Sequence, residues 1–348
     1  MATFYKVNIQ EVIQETADAV SVVFDIPENL KSIFSFKAGQ YITLKKELKG
    51  EEIRRAYSIC SSPKSNEIKV AVKAVENGKF SVYATSQLKK GDEIEISEPE
   101  GLFLLEPTSN KNYIGFAAGS GITPVLSMIK AVLETEPSSS FTLVYGNKSI
   151  KDTIFFDELN SLKSNYSDRF NLHFIYSREN VKNGLRGRID QNVTNYFVKN
   201  MYKETSFDAS FLCGPEEMIE EVSKTLESNS LSKENIHFEL FTASIDEEKA
   251  SQVSEGQTEI TVLLDDEETT FTMQQTDDIL AASLRNDLDA PYSCQGGVCS
   301  SCLAKVTEGK AVMVKNSILT DGEVEDGFIL TCQAHPTTSK ISIDFDDV

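Results

Sequence analysis

The chain contains no apolar run approaching the roughly 18 residues that a membrane helix requires, so membrane insertion is not expected. Its opening, Met1-Ala-Thr-Phe-Tyr-Lys, lacks a charged segment followed by an apolar one. No export signal is therefore expected, the expected location is the cytoplasm, and disulfides are disfavoured. Histidine is scarce: His173, His237 and His335 are too scattered to hold a metal by spacing, and no Ser-His-Asp arrangement accompanies them. Positive charge is also short, with 34 Lys and Arg against 54 Asp and Glu for a net charge of -20. No basic face interleaved with aromatics is present, which excludes nucleic acid as a partner.

The negative charge is unevenly placed. Residues 257 to 348 carry 17 acidic and 5 basic side chains, whereas the first 241 residues are close to balanced. An acidic surface of this kind steers a basic protein partner towards encounter, although it serves solubility equally well. A length of 348 residues suggests two or three domains, each with enough apolar content for a core.

Four of the six cysteines form the most specific pattern in the sequence. Cys294-Gln-Gly-Gly-Val-Cys299-Ser-Ser-Cys302 has C-x4-C-x2-C spacing, and Cys332 follows in Leu-Thr-Cys-Gln-Ala-His-Pro. This is the spacing by which plant-type ferredoxins hold a 2Fe-2S cluster: three thiolates from one loop, the fourth from a distant segment. Gly296 and Gly297 are expected to let the loop curl and to aim their amides at sulfur. A structural zinc site is the other use for four cysteines, but it normally draws on two C-x2-4-C pairs. Cys332 has no cysteine within 25 residues on either side.

Residues 1 to 106 read as a small antiparallel β-barrel, with alternating runs at Tyr5 to Val12, Ala19 to Ile26 and Ile68 to Val75. Within them stand Arg54-Arg55-Ala56-Tyr57-Ser58 and, about twenty residues on, Gly78-Lys79-Phe80-Ser81. An arginine can grip a pyrophosphate, a tyrosine ring can stack on a flavin, and a serine hydroxyl can reach a ring nitrogen. The same residues also suit an ordinary core tyrosine and surface arginine.

From residue 107 to 241 the pattern becomes α/β. The strand Tyr113 to Ala118 runs through Gly119-Ser-Gly121-Ile-Thr123-Pro124 into a helix over Val125 to Leu133, with Thr123 expected as its cap. Amides freed at such a start suit a phosphate. Strands at Phe141 to Gly146, Asn171 to Tyr176 and Ser210 to Cys213 alternate with helices, which predicts a doubly wound parallel sheet with its ligands at the strand carboxyl ends. Ser177-Arg178 and Cys213-Gly214-Pro215 follow two of those strands, and Arg188 stands nearby as a second guanidinium. A hydroxyl and a guanidinium at a ribose position are equipment for a 2'-phosphate. Residues 242 to 256 are polar and acidic and read as a linker. Residues 257 to 348 form a domain with a hairpin, a helix over Ile279 to Arg285, the cysteine loop and a last strand at Lys340 to Phe345.

These motifs, in this order, resemble the ferredoxin-NADP reductase superfamily carrying a C-terminal plant-type ferredoxin domain. The likeness spans essentially the whole chain. It is strongest to the reductase components of phenylacetyl-CoA epoxidase (ring-1,2-oxygenase) systems, through Gly296-Gly-Val-Cys299, Leu330-Thr-Cys-Gln-Ala-His-Pro336 and Ile343-Asp-Phe-Asp346. The resemblance implies an FAD-binding barrel, a doubly wound NADP-binding domain and an α+β, β-grasp-like ferredoxin domain. It implies FAD held by Arg55, Ala56, Tyr57, Ser58, Gly78, Phe80 and Ser81. NADPH, with NADH as the alternative, would lie along Gly119, Gly121, Thr123, Pro124, Ser177, Arg178, Arg188, Cys213, Gly214 and Pro215. Glu239 and Phe241 would stand near the flavin, with Ser58, Cys213 and Glu239 as the catalytic groups. The implied cluster ligands are Cys294, Cys299, Cys302 and Cys332, and the implied partner is an oxygenase or other electron-accepting protein. A desaturase, dioxygenase or steroid hydroxylase is an alternative acceptor, and a redox-sensing or metal-binding module that no longer turns over is the competing class.

Overall fold

A computed structural model describes residues 3 to 181 and 185 to 348. It divides into two compact units, Phe4–Glu239 and a second formed chiefly by Leu240–Val348.

The first unit begins with six strands, β1 (Phe4–Thr16), β2 (Ala19–Asp25), β3 (Tyr41–Leu48), β4 (Glu51–Ser58), β5 (Ile68–Lys73) and β6 (Glu93–Ser97), with helix α1 (Lys79–Ser86) between the last two. They form one antiparallel sheet in the order β4-β3-β6-β1-β2-β5. A bridge between Ile59, just past β4, and Val70 on β5 joins the two edges and closes the barrel. Closure removes the unpaired edges that an open sheet would expose. Alternation along β2 and β5 sends Val20, Val22, Phe24, Ile68, Val70 and Val72 into the barrel core.

The same unit continues with a six-stranded parallel sheet: β7 (Asn112–Ala118), β8 (Ser140–Asn147), β9 (Phe170–Tyr176), β10 (Leu185–Arg186), β11 (Ala209–Cys213) and β12 (Ile236–Glu239). Its helices are α2 (Ile122–Thr135), α3 (Phe156–Asn165), α4 (Gln191–Asn195) and α5 (Glu216–Ser228). The strand order is β10-β9-β8-β7-β11-β12, so the chain winds outward from β7 on one side and resumes beside β7 with β11. Crevices at the carboxyl ends beside such a reversal are where doubly wound folds bind ligands. Helix α2 is the most deeply embedded, buried from Ile122 to Leu133.

The second unit carries helix α6 (Glu247–Ala250) and then β13 (Gln257–Leu264), β14 (Glu267–Gln274), α7 (Ile279–Arg285), β15 (Leu303–Glu308), β16 (Ala311–Met313), α8 (Asp321–Glu325), β17 (Phe328–Leu330), β18 (Ala334–Pro336) and β19 (Lys340–Asp344). Five strands form a mixed sheet in the order β14-β13-β19-β15-β17, with β13 and β19 parallel. Ile279, Leu280 and Ala282 of α7 join its core. Asp278 begins that helix as a cap, accepting the Ala281 N–H at 2.7 Å. The polar stretch expected as a linker includes α6, and the Asp246 N–H donates to the Val314 carbonyl at 2.8 Å.

Candidate redox site

Strand β4 carries the first set of expected residues. Arg54 is buried, paired with Glu52 at 2.7 Å and stacked over the Phe4 ring, which is a structural role. Arg55, Ala56 and Tyr57 are half-buried and Ser58 is buried. Tyr57 packs against Phe80 of α1 with ring centroids 5.7 Å apart, and burial pushes its phenol above the usual range, so it remains a neutral ring. Gly78 precedes α1, where an added Cβ would sit 2.3 Å from the Ser81 Oγ and 2.6 Å from a Val75 methyl. The Ser81 hydroxyl accepts the Val75 N–H at 3.2 Å, so it builds the turn itself. No side chain caps α1, which leaves its first amides open to an anion. An aromatic face, an arginine and an uncapped helix start suit a flavin dinucleotide.

The nucleotide loop is a turn of 3₁₀ helix at Gly119–Gly121 that leads directly into α2. Thr123 is therefore inside the helix, and the expectation that it caps α2 is incorrect. Its hydroxyl donates back to the Ser120 carbonyl at 3.0 Å, because the preceding turn starts the helix earlier. Gly121 precedes the helix instead, again with no side-chain cap. Pro124 lies in the first turn, where its missing N–H leaves no intrahelical bond unmade. Gly119 adopts φ +55, and the buried Tyr145 hydroxyl donates to its carbonyl at 2.9 Å. Sequence reading missed Tyr145, whose only signal was its place near the carboxyl end of a parallel strand.

Parallel pairing then gathers the strand ends. Cys213 stands beside Ala117 on β7 and beside Glu239 on β12. The backbones are so close that a Cβ on Gly121 would lie 2.1 Å from the Cys213 carbonyl oxygen. Gly214 is constrained in turn by Met218 and Ala118, and Pro215 leads into α5. Across the crevice the Ser58 hydroxyl donates to Glu239 Oε2 at 3.1 Å. Burial raises the Glu239 carboxyl to about 7 despite that bond, and burial followed by the Glu239 charge raises the Cys213 thiol well above its usual range. The barrel and the parallel sheet thus meet at a hydroxyl, a neutral thiol and a carboxyl that titrates near neutrality.

At the outer strands the Ser177 N–H donates to the Asn147 carbonyl and the Arg178 N–H to the Lys148 carbonyl, both at 2.9 Å. Arg178, Arg186 and Arg188 are all exposed around the ends of β9 and β10. Arg186 and Lys148 add to the expected pair of guanidiniums. Phe241 falls in the second unit and is exposed.

In that second unit the cysteine loop links α7 to β15, and Cys332 follows β17. Cys294 and Cys299 lie with their sulfurs 3.0 Å apart, while Cys332 bonds to both Cys302 and Cys294. Thiol hydrogen bonds from Cys299 and Cys332 hold Cys294 far below the usual thiol range, and Cys299 and Cys332 are correspondingly raised. Four thiols gathered in this way fit a cluster of two irons that needs two thiolates on each. Both the Thr331 N–H and its hydroxyl donate to the Cys302 carbonyl at 3.0 Å, fixing the segment of the distant Cys332 to the loop. Gln333 Nε2 donates to the Gln295 carbonyl at 3.1 Å. Of the two glycines only Gly297 has left-handed backbone, at φ +71, where a Cβ would press on the Lys315 carbonyl. Gly296 needs no such freedom, and the neighbour that shares it is Gln295 at φ +53; the Gly296 amide donates to Cys294 Sγ at 3.3 Å.

Comparison with known proteins agrees with this layout. Family models match residues 6 to 104 as an oxidoreductase FAD-binding domain, 116 to 224 as an oxidoreductase NAD-binding domain and 262 to 337 as a 2Fe-2S iron-sulfur cluster binding domain. The chain is 39% identical to one of the subunits of the 1,2-phenylacetyl-CoA epoxidase of Escherichia coli (strain K12), over 99% of each chain. It belongs to this family of flavin and iron-sulfur reductases. The reductase is also 31% identical to the 3-ketosteroid-9-alpha-monooxygenase ferredoxin reductase component of Rhodococcus rhodochrous, over 97% of this chain and 96% of that one. Its fold matches phthalate dioxygenase reductase with a TM-score of 0.69 at 24% identity, over 98% of each chain. The 2Fe-2S match decides against the zinc alternative. Among the described residues no helix of the reductase is long and apolar enough to cross a membrane.

The Glu239 carboxyl gives a pH signature. Its ordinary value is 4.5 and its folded value about 7, so between them the folded chain holds a proton that the unfolded chain has lost. Its contribution to stability is full below about 4.5, declines as the pH rises and is gone above about 7. Glu239→Gln should flatten that part of the stability profile, read from urea midpoints at about pH 4.5, 6 and 7.5. An unchanged slope would contradict the buried carboxyl.

Proposed function

We propose that this oxidoreductase takes a hydride from NADPH and delivers single electrons to an oxygenase partner of the phenylacetyl-CoA epoxidase type. The observation that carries the reading is the meeting of Ser58, Cys213 and Glu239 where the barrel faces the ends of β11 and β12. The identity with the epoxidase component, higher than that with the steroid monooxygenase component, supports the choice of acceptor. The acidic excess of residues 257 to 348 suits a basic docking face on that partner. Six cysteines, all free, fit a cytoplasmic location. The domains in this reading are residues 1 to 106 for FAD, 107 to 241 for NADPH and 257 to 348 for the cluster, with 242 to 256 between them.

FAD, when bound, supplies the conversion of a hydride pair into single electrons, which neither a nicotinamide nor a 2Fe-2S cluster performs alone. The protein's residues supply geometry. Arg55 and the open start of α1 hold the diphosphate, with Ala56, Tyr57, Gly78, Phe80 and Ser81 shaping the flavin bed. Gly119, Gly121, Thr123 and Pro124 bring the α2 amides to the NADPH pyrophosphate, while Gly214 and Pro215 keep the facing wall close. Ser58 and Cys213 position the reacting rings, and Glu239 holds Ser58 in place and offers a protonable group at neutral pH. Ser177, Arg178 and Arg188 take the 2'-phosphate. Phe241 is assigned to the flavin side on the resemblance alone. Cys294 and Cys299 would hold one iron, Cys302 and Cys332 the other.

Two substitutions test this. Ser58→Ala should slow flavin reduction by NADPH on the order of tenfold to a hundredfold while FAD content stays constant, because orientation and not affinity is lost. Arg178→Ala should raise KM for NADPH on the order of tenfold and leave NADH almost untouched. Equal effects on both nucleotides would remove the 2'-phosphate assignment.

A further inference from the structure

Lys130, in the middle of α2, is nearly fully buried, and no part of the proposed chemistry requires it. Its ammonium donates to the Cys60 carbonyl at 3.0 Å and pairs with Glu158 of α3 at 2.5 Å. The other Glu158 oxygen, Oε2, pairs with Lys69 of β5 at 3.5 Å, and the Lys69 ammonium lies over the Phe155 ring. One helical turn before Lys130, the Ser127 hydroxyl donates to the Ser61 carbonyl at 2.8 Å. Burial opposes the charge on Glu158, yet the two lysines outweigh it and the carboxyl stays below its ordinary range, so the group is ionised at neutral pH.

The location of this network matters more than its strength. Cys60 and Ser61 continue the chain from Ser58, and the same α2 begins just after Gly121. The network therefore ties the segment carrying Ser58 to the helix carrying the nucleotide loop, through contacts that involve neither cofactor. A buried ammonium would be expensive to desolvate for mere adhesion where an apolar side chain would serve. What it adds is direction, since an ammonium bonded to both a carbonyl and a carboxylate fixes the register of one element on another.

We infer that Lys130, with Glu158 and Lys69, is a positioning clasp that sets the flavin-side Ser58 segment against the nucleotide loop and so governs the alignment for hydride transfer. The inference rests on the proposed function and names a determinant beyond its contact residues.

The test uses the full-length, FAD-loaded and cluster-loaded protein, mixed anaerobically with NADPH while flavin bleaching is followed in a stopped flow. Lys130→Met should lower the limiting bleaching rate about tenfold or more, with the NADPH concentration at half-maximal rate and the FAD content within about twofold of wild type. Lys130→Arg, which keeps both bonds, should recover most of the rate. Because Lys130→Met leaves Glu158 with Lys69 alone and could fail to fold, the triple variant Lys69→Met/Lys130→Met/Glu158→Leu removes all three charges; it should fold, load flavin and still be slow. A limiting rate within about twofold of wild type in either folded, flavin-loaded variant overturns the clasp. A wild-type flavin that NADPH does not bleach instead overturns the parent reading, and the clasp's catalytic role with it.

Discussion

The nucleotide crevice depends on a steric constraint, the approach of Gly121 to the Cys213 carbonyl. Any side chain at Gly121 would collide with that oxygen, its Cβ falling 2.1 Å away. The contact sets how closely the start of α2 lies against the end of β11, and thereby places the uncapped amides of α2, the Cys213 thiol and the Glu239 carboxyl around one crevice. Parallel pairing in register from β7 through β11 to β12 does the rest, because it brings Ala117, Cys213 and Glu239 level with one another.

Polar groups around this crevice and in the cysteine loop are divided between two tasks. Some close the structure: Ser81 completes the turn before α1, Tyr145 holds the Gly119 carbonyl, and Thr331 fastens the segment of Cys332 to the cysteine loop. Others are not used in this way: no side chain caps α1 or α2, and the guanidiniums beyond β9 and β10 are exposed, which is what the proposed reading asks of groups that meet a ligand. Burial makes the division effective. It moves the Tyr57 phenol and the Cys213 thiol further above neutrality and lifts Glu239 to about 7, so that the carboxylate charge at the meeting of barrel and sheet is only partly present at neutral pH.

Features fixed by local spacing were legible in the sequence. The cysteine pattern, the alternation of strands and helices, and the glycines and cysteine at strand ends led to the three-part fold and to one crevice. Helix α7 was bounded as predicted because its apolar periodicity and flanking residues are local. What escaped depends on partners distant in sequence or on a subtle backbone choice. Thr123 looked like a cap because nothing local shows that the glycine turn already starts the helix. Gly296 and Gly297 looked equivalent, yet only Gly297 adopts left-handed backbone, at a place where a Cβ would also press on the Lys315 carbonyl. Tyr145 and Lys130 carry no motif, and their roles arise from contacts with residues 26 and 70 positions away.

A relay from NADPH through FAD to a 2Fe-2S cluster in one chain is tested most directly by the visible absorption spectrum of the purified protein under anaerobic NADPH addition. The relay predicts a flavin band over broad iron-sulfur absorption, with both bleaching as NADPH is added. A colourless protein, or colour that NADPH leaves unchanged, would contradict it.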